Sequence, residues 1–141
     1  MNPSNICHSH LCLACLGSNN DADSRLDAAV QAIDETFKII GVGKRIMTEP
    51  EETQVDSMPY LNLAIVFQTE QSPEEIVSAF KRIELQNGRT TDSKRSGIVP
   101  LDIDLLIYDD LVLRPSDLQR TYVKSAIACL PSSCSMPLPP L

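Results

Sequence analysis

The stretch Pro100 to Tyr108 (PLDIDLLIY) constrains this chain more than any other. Leu101, Ile103, Leu105 and Ile107 alternate with Asp102, Asp104 and Leu106, a period of two that predicts a β-strand. Side chains two apart on a strand share a face. Asp102 and Asp104 therefore project together from one side and the aliphatic residues from the other. Two carboxylates held this close repel each other and resist desolvation unless a cation lies between them. Mg²⁺ takes oxygen ligands, commonly one or two carboxylates plus substrate phosphates. A basic segment, Arg89 to Arg95 (RTTDSKR), lies just upstream. An acid pair with a basic loop suits a metal-bound nucleoside triphosphate. The same pattern also fits an exposed edge strand whose acids are merely solvated.

A length of 141 residues fits one domain with its own core. Hydrophobic and charged fractions of 43% and 22% are those of a globular chain. The net charge of -7 argues against a nucleic-acid or anionic-membrane partner, yet leaves room for a nucleotide because the positive charge is clustered. No apolar run reaches the roughly 20 residues of a bilayer span. The opening MNPSNICHSH lacks the regions of a secretory signal. Five cysteines without small-domain disulfide spacing point to a reduced cytoplasm. Cys7, His8, His10, Cys12 and Cys15 form a soft-ligand cluster, but the spacing matches no common zinc pattern. Buried strand cysteines behind a loose leader are the preferred reading.

In chain order, residues 1–10 read as a flexible leader and 11–16 (LCLACL) as a strand ending in Gly17-Ser18-Asn19. Gly17 permits close backbone approach. Leu26, Ala29, Val30, Ile33, Phe37 and Ile40 fall on one face of a helix over 23–40, started by Asp21, Asp23 or Ser24 and ended by Gly41 and Gly43. Residues 44–47 read as a short strand, 48–58 as an acidic loop and 60–69 as a strand. Asn62 interrupts an apolar run there and needs polar partners if buried. Ser72, Pro73 and Glu75 predict a capped helix start, Ile76, Val77, Phe80 and Ile83 its buried stripe, and Gly88 its stop. Asp109-Asp110 turns into a hairpin with 111–113. A short helix or irregular segment spans 117–130. The stretch Pro131 to Leu141 holds four of the ten prolines. The order β-α-β-β-α-β-β has two strand pairs connected too closely for helical crossovers. It implies an α+β sandwich related to the ferredoxin-like arrangement, with helices on one face of a mixed or antiparallel sheet. The domain spans 11–131, followed by a Pro-rich tail, 132–141. The other sheet face, carrying Asn62, Asp102 and Asp104, would floor an open site.

Four segments together resemble the 6-hydroxymethyl-7,8-dihydropterin pyrophosphokinase (HPPK) family, of which this chain would be a divergent member. They are Leu16-Gly17-Ser18-Asn19, Tyr60-Leu61-Asn62, Arg82-Ile83-Glu84-Leu85-Gln86-x-Gly88-Arg89 and Leu101-Asp102-Ile103-Asp104-Leu105. The resemblance implies transfer of a pyrophosphoryl group from ATP to the pterin hydroxymethyl oxygen in folate biosynthesis. By position, Asp102 and Asp104 would hold two Mg²⁺. Thr48, Tyr60, Asn62 and Tyr122 would take the pterin, and Glu84, Arg89, Lys94 and Arg120 the nucleotide. Arg89 and Arg95 would approach the phosphates. Partners would be small molecules, ATP and hydroxymethyl-dihydropterin, with neither nucleic acid nor membrane.

Three positions depart from the family pattern. Ser96 stands at the tryptophan of the mobile loop, Val99 at one of its arginines, and Ser116 at the histidine that follows a proline. Loss of one phosphate arginine removes charge stabilisation of a few kcal/mol, for which Lys94 or Arg95 could compensate. The expectation is a transferase of reduced turnover, with a non-catalytic pterin or nucleotide binder as its alternative and an unrelated α+β domain behind both.

Overall fold

The computed structural model describes residues 9–48, 59–89 and 97–137. Its elements run β1 (His10–Ser18), α1 (Ala22–Thr36), β2 (Lys38–Val42), β3 (Ile46–Thr48), β4 (Tyr60–Thr69), α2 (Pro73–Gln86), β5 (Asp102–Tyr108), β6 (Leu111–Val112), α3 (Pro115–Leu118) and α4 (Thr121–Ala128). The strands form one sheet in the order β2-β4-β1-β5-β6, with β3 pairing further along β4. Every pairing is antiparallel, so of the mixed and antiparallel options the second holds. The α+β class read from the sequence is the observed one.

Leu16, Leu63, Ile65, Phe67, Ile103 and Leu105 pack against Leu26 and Ile33 of α1 and Ile76, Phe80 and Ile83 of α2. The helices lie on both faces of the sheet, not on one. Val123 and Ala126 of α4 and Leu118 of α3 cover Leu13, Ala64, Val66, Leu106 and Ile107 on the second face. The 117–130 segment has its own apolar stripe, and that stripe needs a surface to bury. No helix among the described residues is long and apolar enough to cross a membrane.

Helix α1 ends at Thr36, four residues short of the helix expected to reach residue 40. Phe37 turns to extended backbone, and Lys38–Val42 becomes an edge strand on β4. The apolar residues at 33, 37 and 40 fit helical spacing, but the run Phe37-Lys38-Ile39-Ile40 is rich in strand formers, and pairing along β4 decides the matter. Phe37 stays in the core either way, 5.0 Å from the Phe67 ring and 6.0 Å from that of Phe80. Asp21 occupies the cap position of α1 but makes no side-chain capping bond.

Helix α2 begins with the full capping box expected of Ser72 and Glu75. Its stripe is buried through Ile76, Ala79, Phe80 and Ile83, while Val77 is exposed. Strand β5 keeps its alternation only as far as Leu106. Its register against β1 steps between Leu13 and Ala14, leaving Leu106 as an extra residue. This bulge turns Ile107 to the second face, opposite to the period-two reading, and sends Tyr108 to the first.

Candidate active site

Register builds the site. Gly17 of β1 faces Asn62 on β4 and Asp102 on β5, and Cys15 faces Ala64 and Asp104. Cross-strand partners share a face, so Asn62, Gly17 and Asp102 form one row, and Ala64, Cys15 and Asp104 the row beside it. With strands about 4.8 Å apart, Asn62 and Asp102 stand about 10 Å apart across a glycine. A bare backbone at that point leaves a platform on which a flat ring can lie. A Cβ added at Gly17 would come 3.1 Å from Asn62 Oδ1.

Above the platform is a cavity of about 260 Å³, walled by the sheet on one side and by α3 and α4 on the other. Gly17, Thr48, Tyr60, Asn62, Asp102, Asp104, Asp117, Arg120 and Tyr122 all line it. The structure thus brings together both aspartates, the four residues expected to take the pterin, and Arg120. Lys94, Arg95, Ser96, Cys7, His8 and the loop 49–58 lie outside the described residues.

Asn62 is only 3% exposed and finds the partner its burial demands: its Nδ2 donates to Thr48 Oγ1 at 2.9 Å. Strand β3 pairs with β4 so that Thr48 faces Tyr60, which fixes that hydroxyl at the cavity edge. Burial raises the Tyr60 phenol above its ordinary value; Asp102 adds to this and Arg89 opposes it.

At the acid pair, burial and the Asp102 carboxylate push Asp104 up to about 7. Each aspartate has an arginine. Arg89 Nη1 donates to Asp102 Oδ1 at 2.6 Å, and Arg114 Nη1 lies 3.8 Å from Asp104 Oδ1. Arg89 is held in turn by Glu84 Oε2 at 3.3 Å and the Leu101 carbonyl at 3.1 Å. Glu84 Oε2 also accepts from the Ile103 backbone N–H at 2.8 Å. Burial raises the Glu84 carboxyl; the bond to Ile103 and the charge of Arg89 work against it. Glu84 therefore straps the end of α2 to β5 and aims Arg89 at the acid pair.

Two hard oxygen ligands on one face, each stabilised by a cation in the structure as it stands, suit Mg²⁺. Among the described residues no three His, Cys, Asp or Glu side chains converge as a metal centre, so the remaining ligands would come from substrate and water. The soft cluster at the start of the chain does not form one among those residues. His10 Nδ1 is bonded to Asp109 Oδ2 at 2.6 Å, at the opposite end of β1 from Gly17. Cys12 and Cys15 lie in cores on opposite faces, as expected. Burial, reinforced by Asp104 and Asp102, pushes the Cys15 thiol up to about 12, which removes it as a nucleophile.

Three features escape a reading of the sequence. Asn19 is a clamp: its Nδ2 donates to the Gly97 carbonyl at 2.7 Å, its Oδ1 accepts from Val99 N at 2.6 Å, and its own N donates to the Val99 carbonyl at 3.0 Å. Val99 is buried in this clamp. Asp117 joins Arg114 and Arg120, a pairing visible only as i,i+3 spacing. Arg114 belongs to none of the motifs that carry the resemblance.

Fold and site define an antiparallel α+β protein with a polar cavity between an acid pair and an asparagine. The profile of 7,8-dihydro-6-hydroxymethylpterin-pyrophosphokinase (HPPK) matches residues 13–132. The chain belongs to that family. Among curated relatives, a folate synthesis bifunctional protein of Chlamydia trachomatis is 32% identical over 83 residues, 52% of this chain and 18% of the relative. A mitochondrial folate synthesis bifunctional protein of Pisum sativum is 41% identical over 59 residues, 42% of this chain and 11% of the relative. The matched stretches thus span less than a fifth of those proteins. A crystal structure of a Plasmodium falciparum HPPK-DHPS triple mutant with SDX-DHP has a TM-score of 0.56 at 14% identity, covering 92% of this chain and 35% of that one. At that identity the likeness shows the fold.

Proposed function

We propose that the chain transfers pyrophosphate from ATP to 6-hydroxymethyl-7,8-dihydropterin, with Asp102 and Asp104 holding two Mg²⁺. The supporting observation is the row Asn62–Gly17–Asp102, which sets a buried amide and a carboxylate at opposite ends of one open platform. Asn62 and Thr48 bind the ring edge, Tyr60 flanks it, and Tyr122 stacks on it from α4. This leaves the hydroxymethyl oxygen over the acid pair. That oxygen attacks the β-phosphorus, the bond from the β-phosphorus to the α,β-bridging oxygen breaks, and AMP leaves while the hydroxyl proton passes to solvent. Bound magnesium would offset phosphate charge and favour in-line attack. Arg89, aimed by Glu84, and Arg120 face the phosphates, and Lys94 and Arg95 would add the charge that the sequence assigns to them. The four described free thiols, Cys12, Cys15, Cys129 and Cys134, support a reducing compartment such as the cytoplasm.

One observation favours a second reading, a binder without turnover. Val99, at the position of a family arginine, is committed to the Asn19 clamp, and Ser116 supplies no imidazole. Incubation with ATP, Mg²⁺ and the pterin decides between them. AMP formation that disappears in Asp102→Asn supports transfer. Binding of the pterin without any AMP, at enzyme equal to substrate, supports the binder.

A further inference from the structure

Arg114 Nη1 lies 3.8 Å from Asp104 Oδ1, and Arg114 Nε donates to Asp117 Oδ2. The other oxygen of Asp117 accepts from Arg120 Nε at 3.2 Å. One carboxylate on the cavity wall, its side chain only 17% exposed, therefore holds two guanidiniums, Arg120 lining the cavity and Arg114 beside the lining residue Asp104. The 3.8 Å separation is attractive but too long for a hydrogen bond. Arginine offers five donors in a rigid fork, and Asp117 takes the one on Nε. The Arg114 side chain is 49% exposed, so its two carboxylate neighbours leave it partly in contact with solvent. Arg89 stands in the matching place at Asp102. The acid pair is thus flanked by a guanidinium at each end.

We infer that Arg114 is a contact for the polyphosphate tail of the nucleotide, and that Asp117 is a positioning residue that orients Arg114 and Arg120 towards it. The inference rests on the proposed transfer reading and supplies the phosphate charge that Val99 and Ser116 lack. Arg114 comes from the same segment as Ser116, two residues earlier. A phosphate brought to the acid pair would give Arg114 the hydrogen-bond acceptor that Asp104, at 3.8 Å, does not provide.

Calorimetric titration with α,β-methylene-ATP and Mg²⁺, and separately with AMP, tests this in wild type, Arg114→Ala, Arg114→Lys and Asp117→Asn. The expected result is at least tenfold weaker binding of α,β-methylene-ATP by Arg114→Ala, partial rescue by lysine, an intermediate loss in Asp117→Asn, and AMP affinity unchanged throughout. Equal analogue affinity in wild type and Arg114→Ala overturns the inference and leaves the transfer reading standing. Parallel loss of AMP and analogue affinity with a lowered melting temperature assigns Arg114 a structural role and also overturns it. A wild-type protein that takes no analogue with Mg²⁺ overturns both.

Discussion

Burial and the neighbouring Asp102 raise Asp104 from its ordinary 3.8 to about 7, so the folded chain holds this proton more tightly than the unfolded one does. Its stabilising contribution is complete below 3.8 and is lost as pH climbs through about 7. Above that, the metal-free protein carries a carboxylate it would fold better without. Asp104→Asn cannot ionise there. The variant should therefore melt higher than wild type at pH 8 without metal, with the difference shrinking towards pH 5, and should gain less from added Mg²⁺; melting curves across that range check both. Gly17 matters for the Asn62 amide beside it. Its missing Cβ leaves the space beside Asn62, and an added methyl would sit 3.1 Å from Oδ1. Gly17→Ala should move the amide and weaken pterin binding tenfold or more, while stability falls by only about 1 kcal/mol. Fluorescence titration alongside denaturant melts separates the two effects.

At the level of elements, two anchors position the site from a distance. Ser72 caps the start of α2, whose far end carries Glu84 and leads into Arg89. Ser72→Ala should cost about 1 kcal/mol of stability and leave nucleotide affinity unchanged. Asn19 ties Gly97 and Val99 to the end of β1. Asn19→Ala leaves the buried Val99 N–H without its acceptor and should destabilise by about 2 kcal/mol, as read by urea denaturation. The sequence made some of this legible. The capping box and the 60–69 strand carry local, one-period signals, and the structure reproduces them. The acid pair was legible for the same reason. What was not legible depends on partners remote in the chain. Strand β2 exists because β4 offers an edge, and the bulge at Leu106 because β1 and β5 lose step. The Asn19 clamp joins residues 78 and 80 positions away. Nothing in a local period encodes these.

For the whole molecule, covering both sheet faces is what makes a cavity out of a floor. Had the helices lain on one face only, the acid pair would face open solvent. With α3 and α4 across the second face, Asp104 is desolvated, two further guanidiniums reach its surroundings, and about 260 Å³ remains for ligand. Family membership and fold account for this frame. What the residues within it do turns on whether the aspartates hold a divalent cation that in turn holds a triphosphate. Calorimetric titration of α,β-methylene-ATP into wild type and into Asp102→Asn/Asp104→Asn, with Mg²⁺ and with EDTA, tests that most directly. Binding in wild type should require Mg²⁺ and should be lost in the double variant. Binding of equal strength in EDTA, or undiminished in the double variant, would contradict this.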